Sequence, residues 1–360
     1  MPQLPLRTGI VGAGMIGRVH LDAARRAGAT VAAISASTPV RAKEAAARLG
    51  VAQSFDSAEE LVTSDSVDVV HICTPNDTHH PLTELALRAG KHVICEKPLA
   101  VTSAQAEALV RAAASSGRVT AVPFVYRYHP MAAEARARVQ DGRTGAVRLL
   151  HGHYLQDWLS LPGDTNWRVD PGIGGPSRAF ADIGSHWCDL VEWVTGHRIT
   201  EVTALTRTVA RDGGGASGTE DAVQLLLRTD LGATGALTVS QISPGRKNRL
   251  WFEADGERTS LTFDQERPES LFIGSRAEST LLTRDPAVLS AAAARLSTVP
   301  GGHPMGYLDC FAAFVRDVYA AACGDGPPDA FPSFDDAARM VRLTEAVLHS
   351  AASRSWIEVP

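Results

Sequence analysis

The sequence lacks several features that define whole classes of protein. It has only 5 cysteines in 360 residues, namely Cys73, Cys95, Cys188, Cys310 and Cys323, and no Cys-x-x-Cys pair. This sparse spacing is not that of a disulfide scaffold and is typical of a reducing cytosol, so we expect a cytoplasmic protein. No run of basic residues occurs and the formal net charge is -5, which argues against a nucleic-acid partner.

Long apolar runs are also missing. The N-terminus passes from Met1 into a short strand-like run broken by glycines and Arg18, unlike the basic start and apolar stretch of a signal peptide. No segment has the roughly 20 apolar residues that a membrane-spanning helix needs, so no membrane partner is expected. The 44% of hydrophobic residues, against 21% charged and 6% aromatic, are typical of a soluble globular protein. A chain of 360 residues usually divides into two domains.

Short apolar runs alternate with alanine-rich helical patterns from Leu6 to about Pro123. Strands are predicted at 7–11, 30–35, 67–73, 92–95 and 119–123. This alternation is typical of right-handed βαβ crossovers and predicts a parallel sheet. Thr102 with Gln105 forms a capping signature for one of the helices between these strands.

Beyond Arg127 the pattern changes to alternating apolar and polar residues, which predicts a largely antiparallel sheet. The predicted strands are 147–154, 200–206, 223–229, 233–243, 250–254, 260–263 and 270–274. The glycine-rich stretch 212–218 is predicted to be a hairpin connection, and 324–332, with three prolines, a loop before a last helix that begins near Ser333.

A glycine pattern, GAGMIG at 12–17, follows the first predicted strand and opens a predicted helix. In this setting Gly12 permits a tight turn, Gly14 lets the backbone approach a pyrophosphate and Gly17 lets the helix pack closely on the strand. The free N–H groups of the helix, which starts at Met15 and Ile16, then face the phosphates. The alternative is a glycine turn of purely structural use.

The second strand ends without the acidic residue that holds a ribose 2′-hydroxyl about 20 positions after the glycines. A 2′-phosphate is therefore not repelled, and hydroxyl groups and a guanidinium near this strand end can bind it. These residues are Ser35, Ser37, Thr38 and Arg41. They favour NADP over NAD, unless Arg41 is only a solvated residue and the preference is loose or dual.

Two pairs of residues are candidates for acid–base chemistry. Lys97 follows Glu96 at the end of a predicted strand, where a parallel sheet binds its ligands, and its amine can hydrogen-bond a substrate hydroxyl. Asp182 and His186 are four residues apart and share a helix face if a helix begins there, so the carboxylate can orient the imidazole. The alternatives are a surface Lys–Glu pair and a helix-surface Asp–His pair. No metal site is predicted, because no third and fourth ligand of usable spacing stands nearby. His151 and His153, on one face of a strand, are predicted to be structural or substrate-facing.

Four motifs stand in order along nearly the whole chain: GAGMIG at 12–17, TPNDTH at 74–79, GKHVICEKP at 90–98 and GGPSRAFADIGSHWCDL at 174–190. By these motifs the sequence resembles the Gfo/Idh/MocA family of oxidoreductases, which includes inositol dehydrogenases and glucose–fructose oxidoreductase. The resemblance implies Lys97, Asp182 and His186 as the catalytic trio, converging on one substrate oxygen. Further positions predicted to bind the cofactor are Thr74, Pro75, Asn76, His79, Glu96 and Lys97.

The resemblance also implies an architecture that agrees with the strand patterns. The expected fold class is α/β, with a Rossmann parallel-sheet domain at 1–125 that binds NAD(P). An α/β domain with a large, mostly antiparallel open sheet follows at 126–360 and serves substrate binding and oligomerisation. Since open sheets of this family commonly mediate oligomers, a homo-oligomer, dimer or tetramer, is expected.

Two stretches, YLQDW at 154–158 and HPMGY at 303–307, look like those of family members that handle pyranose sugars or related cyclic compounds. Polar side chains there can hydrogen-bond ring hydroxyls, and a tryptophan can pack on a sugar face. The substrate-binding candidates are Tyr126, Arg127, Gln156, Asp157, Trp158, Arg168, Arg178 and His303. Arg178 replaces a plainer apolar residue of the family, so it either reaches the substrate or braces its loop.

These observations predict an NAD(P)-dependent oxidoreductase that transfers a hydride between nicotinamide and a secondary alcohol or ketone. The expected substrate is a sugar, an inositol or a related cyclic polyol. A non-catalytic dinucleotide-binding sensor is one alternative. The other is an enzyme that keeps NAD tightly bound and uses transient oxidation to cleave or epimerise a glycoside.

Overall fold

The computed structural model describes residues 6–209, 218–326 and 331–360. The stretch 212–217 of the predicted hairpin connection and residues 327–330 of the predicted loop before the last helix lie outside these ranges. Within the described residues the strands are β1 (Arg7–Val11), β2 (Thr30–Ser35), β3 (Gln53–Phe55), β4 (Val69–Ile72), β5 (His92–Cys95), β6 (Thr120–Ala121), β7 (Val147–Leu155), β8 (Ile199–Arg207), β9 (Ala222–Thr229), β10 (Thr234–Ser240), β11 (Arg249–Gly256), β12 (Thr259–Asp264), β13 (Ser270–Ser275), β14 (Ser279–Thr283) and β15 (Ile357–Glu358).

The helices follow the predicted alternation in the first part of the chain. They are α1 (Met15–Arg26), α2 (Pro39–Leu49), α3 (Ala58–Thr63), α4 (His79–Arg88), α5 (Ser103–Ser116), α6 (Pro130–Gln140), α7 (Pro171–Gly174), α8 (Ser185–Thr195), α9 (Ala291–Ala294), α10 (Tyr307–Ala322) and α11 (Phe334–Ser353). The predicted cap of α5 is present, since the Gln105 N–H donates to Thr102 Oγ1 over 3.3 Å. None of the described helices combines the length and apolar character that a membrane span requires.

The first sheet is parallel, and its six strands lie in the order β3-β2-β1-β4-β5-β6. The predicted Rossmann architecture is therefore confirmed. Every residue of β4 is buried, as expected for a strand covered on both faces by crossover helices. Edge strand β3 was not predicted, because it has only three residues and none of them is fully buried.

The strand order reverses between β1 and β4, which lie side by side. Connections that follow neighbouring parallel strands leave the sheet at the same, carboxyl edge. The glycine turn after β1, the 74–78 segment after β4 and Glu96 after β5 therefore lie along one edge of this sheet. Ligands of doubly wound folds bind at this position.

Over the described ranges, the second sheet has nine strands in the order β14-β13-β12-β11-β7-β10-β9-β8-β15. All its pairs are antiparallel except β10 with β7, which confirms the predicted mostly antiparallel sheet. One face is buried: Leu250, Phe252 and Ala254 of β11 are 0% exposed. Helix α8 packs on this face at Gly152, where a Cβ would come within 2.4 Å of Trp187 Nε1.

The described chain forms two compact units. The first unit contains the residues up to Val125 together with Leu308–Val341, and the second contains Tyr126–Tyr307 and Arg342–Pro360. The chain passes from the first unit to the second between Val125 and Tyr126. The segment 308–341, which was predicted to belong to the second domain, groups with the first unit instead. One reason is that Tyr319 of α10 is fully buried there and hydrogen-bonds Thr8 of β1.

Candidate active site

The glycine turn of the first unit has the properties that a bound dinucleotide requires. Gly12 has φ +103°, and a Cβ there would lie 2.6 Å from the Cys73 carbonyl oxygen. A Cβ at Gly17 would lie 1.8 Å from the Gly12 oxygen, so the packing of α1 on the turn requires glycine. At Gly14, by contrast, a Cβ would meet no described atom within 4 Å. Protein packing therefore explains Gly12 and Gly17, whereas Gly14 leaves space for a ligand to approach the backbone.

The N-terminus of α1 next to this turn has no side-chain cap. Its N-cap is Gly14, whereas Thr38 caps α2 and Thr102 caps α5 through their hydroxyl groups. The N–H groups of the first turn of α1 are thus available for phosphate oxygens, which also interact favourably with the helix dipole. Met15, the first residue of α1, is 68% exposed.

The predicted 2′-phosphate residues lie between β2 and α2. Ser35 is 1% exposed, and its carbonyl accepts from the Gly12 N–H over 3.1 Å, which ties the strand to the glycine turn. Ser37, Thr38 and Arg41 are exposed. The Arg41 guanidinium donates to Ser37 Oγ over 3.1 Å. A cation and hydroxyl groups therefore lie together after β2. Ala36, the residue that directly follows this strand, contributes no negative charge.

The segment after β4 is tied to the residues after β5 by a buried histidine. Thr74 and Pro75 enter the short helical turn Asn76–Thr78, and His79 then begins α4. His79 Nδ1 lies 2.7 Å from the Pro98 oxygen and Nε2 lies 3.0 Å from the Thr74 oxygen. Burial lowers the pKa of His79, although the two carbonyls favour its charged form. His79 thus links the 74–76 loop to the Lys97–Pro98 turn within the first unit.

Glu96 and Lys97 follow β5 directly. Glu96 is 7% exposed and accepts hydrogen bonds from His20 and from the Lys97 N–H. Burial alone would raise the pKa of Glu96, but the hydrogen bond from His20 and the nearby charge of Lys97 hold it below its ordinary value. The site therefore holds a carboxylate next to Lys97 in sequence.

In the second unit, Asp182 and His186 lie on consecutive helical turns of unusual geometry. Residues Phe180–Gly184 form one π-helical turn, in which the Ser185 N–H donates to the Phe180 oxygen, and α8 continues from Ser185. Such turns occur frequently at functional sites. The helix predicted around Asp182 is therefore present. Its first turn is wider than the α-helical turn that was assumed in placing Asp182 and His186 on one face. His186 is 8% exposed, and its ring lies 5.1 Å from that of Tyr126, edge to face.

Asp182 is held by side chains from distant parts of the second unit. Gln241, just after β10, donates from Nε2 to Asp182 Oδ2 over 2.8 Å. Arg168 Nε lies 3.6 Å from Asp182 Oδ1. Gln241 in turn accepts from the Arg178 guanidinium over 2.9 Å. The carboxylate is thus fixed in direction and faces two cationic side chains, one directly and one through Gln241.

Two predicted substrate-binding arginines are used within the protein. Arg178 is 2% exposed, and its guanidinium also hydrogen-bonds Thr219 and Asp221. These contacts hold the loop that carries Arg178, and its contact with a substrate stays a prediction. Arg127 forms a bidentate pair with the buried Asp189. The structure does not bring either guanidinium to an exposed surface.

A hydrogen-bonded cluster joins several other predicted residues in the second unit. Asn248 accepts from the Tyr154 hydroxyl over 2.7 Å and from Gln156 Nε2 over 2.8 Å, and donates to the Tyr126 hydroxyl over 3.1 Å. Trp158 Nε1 donates to Gln156 Oε1 over 2.8 Å. The Asn248 amide therefore brings Tyr126 and Gln156 together, and Trp158 joins them through the Gln156 side chain.

Sequence reasoning missed both Asn248 and Gln241. Each follows or precedes a strand by one residue, and each is placed by the pairing of β7 with β10 and β11. The available signal was a polar residue at the end of an apolar strand pattern, as in Ser240–Gln241. That signal is common at strand ends and becomes specific only when the strand order is known.

The remaining predicted substrate residues lie near the surface. Asp157 accepts from Lys247 over 2.7 Å, and this hydrogen bond lowers the pKa of Asp157. The His303 side chain is exposed, and its backbone carbonyl accepts from Arg284 over 2.6 Å. Neither hydrogen bond connects Asp157 or His303 to Asp182.

One group of possible metal ligands, which the sequence did not indicate, occurs on the outer face of the second sheet. His151 Nε2 lies 3.7 Å from Glu253 Oε1 and 3.4 Å from Asp255 Oδ2. Ser260 and Thr262 donate to the two carboxylates from the neighbouring strand. The arrangement is also that of a histidine between two acids, and no metal is assigned to it.

Comparisons with known proteins agree with this architecture. The family model described as "Oxidoreductase family, NAD-binding Rossmann fold" matches residues 6–124, and that of the Gfo/Idh/MocA C-terminal domain matches residues 132–262. The chain is 29% identical to a levoglucosan dehydrogenase from Pseudarthrobacter phenanthrenivorans over 99% of this chain and 98% of that protein.

Solved structures are similar over the whole chain. An oxidoreductase domain protein from Kribbella flavida is 33% identical, with a TM-score of 0.91 over 99% of this chain and 100% of the other. An inositol dehydrogenase homologue from Azotobacter vinelandii, complexed with NADH and myo-inositol, is 28% identical, with a TM-score of 0.90 over 99% and 98%. The chain therefore belongs to the Gfo/Idh/MocA family of oxidoreductases, and residues 6–124 are its NAD-binding Rossmann fold.

Proposed function

We propose that the protein is an NAD(P)-dependent dehydrogenase or reductase acting on a secondary alcohol or ketone of a sugar, an inositol or a related cyclic polyol. The observation that carries the proposal is the glycine turn, where Gly14 faces open space. This turn lies at the carboxyl edge of the parallel sheet, and Lys97 follows β5 at the same edge. The substrate class is supported by relatives named for levoglucosan and inositol. Both of these named compounds are cyclic and carry several hydroxyl groups.

The proposed roles follow from the chemistry of each side chain. A bound nicotinamide supplies or accepts the hydride. His186 exchanges the proton of the substrate hydroxyl, because an imidazole serves as acid and base near neutral pH. Lys97 hydrogen-bonds the same oxygen. Asp182, itself fixed by Gln241, orients His186 or a substrate hydroxyl.

NADP is the proposed cofactor in preference to NAD. The support is the cluster of exposed hydroxyls with the Arg41 guanidinium at the end of β2, together with the alanine at position 36. Charge-assisted hydrogen bonds from a guanidinium suit a 2′-phosphate. The Azotobacter vinelandii homologue was solved with NADH, so direct comparison of the two cofactors is the decisive measurement.

The substrate itself is proposed to contact the polar residues of the second unit. Gln156, Trp158 and Tyr126 belong to one hydrogen-bonded cluster, and Arg168 lies beside Asp182. Asp157 and His303 remain proposed hydrogen-bonding residues, and Arg127 and Arg178 are proposed to act by bracing the residues around them.

We also propose a cytoplasmic homo-oligomer, a dimer or tetramer, that uses the outer face of the nine-stranded sheet. Leu226 lies at one end of a cross-strand row of this face and Phe272 and Leu281 at the other, with 52%, 37% and 66% exposure, and polar positions such as His151 and Glu253 lie between them. Exposed large apolar side chains at the two ends of a sheet face are positions where a second copy can pack. Analytical ultracentrifugation should show the oligomer and its loss in Leu226→Glu. A monomeric parent protein would contradict this part of the proposal.

A substrate panel tests the proposed function. The protein is incubated with sugars, inositols and their keto forms, with NAD or NADP, while absorbance of the reduced nicotinamide is followed. Oxidised product formed in equal amount with reduced cofactor supports the proposal. Tight cofactor binding without turnover would favour a sensor, and cleaved or epimerised product without net reduction of cofactor would favour the glycoside-processing alternative.

A further inference from the structure

Behind Glu96, the first unit buries four hydrogen-bonding side chains that the proposed function does not use. They are His20 of α1, His71 of β4, Tyr319 of α10 and Thr8 of β1, and each is 0% exposed. Buried polar groups cost free energy unless they are hydrogen-bonded, and these four bond to one another. Four separate elements thus contribute to a single polar network inside an apolar core.

The network is a linear chain that ends at Glu96. Thr8 Oγ1 lies 2.7 Å from the Tyr319 hydroxyl, which lies 2.8 Å from His71 Nε2. His71 Nδ1 lies 2.9 Å from His20 Nδ1, and His20 Nε2 lies 3.0 Å from Glu96 Oε1. Each distance is that of a normal hydrogen bond, so the chain is continuous.

Only one direction of donation satisfies every contact with neutral histidines. A carboxylate only accepts, so His20 carries its proton on Nε2 and accepts at Nδ1. His71 must then donate from Nδ1 and accept from Tyr319 at Nε2. Burial lowers the pKa of His71 well below its ordinary value and raises the pKa of the Tyr319 phenol, which favours these protonation states. Every bond therefore points toward Glu96.

The second oxygen of Glu96 is fixed from the other side. Oε2 accepts the Lys97 backbone N–H over 3.1 Å, so both oxygens of the carboxylate are held. Among the described residues, the charged or titratable groups that face Glu96 are His20 from α1, His79 from α4, Cys73 after β4, Cys95 of β5 and Lys97 itself. The negative charge is thus anchored one residue before the proposed catalytic lysine.

We propose that Glu96 is a positioning residue for Lys97 and that the chain from Thr8 to His20 holds Glu96 in place. The proposal rests on the proposed role of Lys97. A carboxylate fixed at this position stabilises the ammonium form of Lys97 by charge attraction and restricts the direction of that side chain. Glu96 itself is held firmly, because polarised hydrogen bonds in a low-dielectric core strengthen one another. Without that anchor, Lys97 would lose its charge partner and the fixed start of its backbone.

The substitution Glu96→Gln tests the positioning role. The Gln side chain can still accept from His20, but it lacks the charge and cannot hold the Lys97 N–H in the same way. We expect kcat to fall about 10–100-fold and the pH–rate profile to move to lower pH. Glu96→Asp should restore part of kcat and the position of the profile. His92→Gln, in the same strand but outside the chain, should leave both unchanged.

A wild-type kcat and pH profile in a folded Glu96→Gln protein would overturn the positioning role. So would a loss of kcat in His92→Gln of the same size, since it would show a general effect on the strand. Thermal melting of each variant separates these outcomes from loss of the fold.

The protonation pattern gives a readout that does not depend on activity. Ring ¹⁵N chemical shifts should show His20 protonated at Nε2 and His71 at Nδ1 from about pH 6 to 8. Tyr319→Phe, which removes the donor to His71 Nε2, should change the His71 signals and lower the melting temperature. A His71 ring protonated at Nε2 or at both nitrogens in the wild type would overturn the chain. If no substrate is turned over, the proposed function fails while this measurement still decides the chain.

Discussion

The two units assemble their candidate functional residues in different ways. In the first unit the residues come from segments directly after strands that lie side by side, so Gly12, Thr74 and Glu96 share one edge of the sheet. In the second unit Asp182 depends on Gln241, 59 positions away in sequence, and Gln156 depends on Asn248, 92 positions away. The residues of the first kind of site can be found from local sequence motifs, whereas those of the second kind are placed by the pairing of distant strands.

The difference also affects how each site responds to mutation. The glycine turn presents backbone N–H groups, which substitutions outside the turn leave in place. The second unit relies on side-chain amides that hold two partners at once, such as Gln241 between Arg178 and Asp182. We therefore expect single substitutions in the first unit to affect separate steps, and those in the second to affect stability and turnover together.

The largest expected effect separates chemistry from binding in the first unit. Lys97→Met should reduce turnover by about 10²–10⁴-fold, as the loss of a positioned proton-transfer group does. Cofactor affinity should remain nearly unchanged, because the glycine turn and the N-terminus of α1 do not involve this side chain. Stopped-flow turnover and fluorescence titration with the reduced cofactor measure the two effects.

Lys43→Met, an exposed lysine of α2, is the matched control and should retain wild-type turnover. Unchanged turnover in Lys97→Met would remove Lys97 from the proposed mechanism. An equal loss of cofactor affinity and turnover would instead assign Lys97 to cofactor binding alone.

A second prediction tests the coupling expected in the second unit. Gln241→Leu leaves Asp182 and Arg178 without their shared partner, and an unmet hydrogen bond of a buried polar group costs about 1–3 kcal/mol. We expect the free energy of unfolding to fall by this amount and kcat to fall about 10–100-fold, because Asp182 is no longer fixed. Urea unfolding and steady-state kinetics on the same samples provide the measurement.

Gln224→Leu, on the exposed side of β9, is the control. It should change the free energy of unfolding by less than about 0.5 kcal/mol and leave kcat at the wild-type value. A Gln241→Leu protein with normal kcat but reduced stability would show that Asp182 keeps its direction without Gln241. That result would break the distinction between the two units.

The same distinction explains what could be predicted from the sequence. The Rossmann sheet, the glycine turn and the antiparallel sheet follow from local periodicity and motif context, and the structure confirms them. Gln241 and Asn248 could not be found because their partners are chosen by the order β11-β7-β10, which periodicity does not encode. The grouping of 308–341 with the first unit was missed for a similar reason, since it depends on contacts such as Tyr319 with Thr8. The convergence of Lys97, Asp182 and His186 stays a prediction.

Acid sensitivity gives a smaller contrast between buried histidines of the two units. Burial lowers the pKa of His71 in the first unit well below its ordinary value, and it also lowers the pKa of the buried imidazole of His197 in the second. As the pH falls, these histidines are therefore protonated in the unfolded chain while they stay neutral in the folded protein. Stability is therefore full above about pH 6.5 and falls below it, by up to about 1.4 kcal/mol per pH unit for each such group.

His71→Gln should thus flatten the decline of unfolding free energy between about pH 6.5 and 5, although it lowers stability at neutral pH. His197→Gln should flatten it less. Urea unfolding followed by far-UV circular dichroism at several pH values measures both slopes. Identical slopes in His71→Gln and wild type would mean that His71 is not held neutral in the folded protein.

The smallest expected effect tests whether cofactor choice is confined to the first unit. Arg41→Ala should raise the KM for NADP about tenfold, because it removes charge-assisted hydrogen bonds to the 2′-phosphate, and should leave that for NAD within about twofold. Arg48→Ala, in the last turn of the same helix, is the control and should change neither KM. Since Ser37, Thr38 and Arg41 are local in sequence, the ranking of substrates in the panel should be the same in the variant as in wild type. An equal effect on both cofactors would leave Arg41 as a solvated residue with a loose preference, whereas an altered substrate ranking would show that the two kinds of site are not independent.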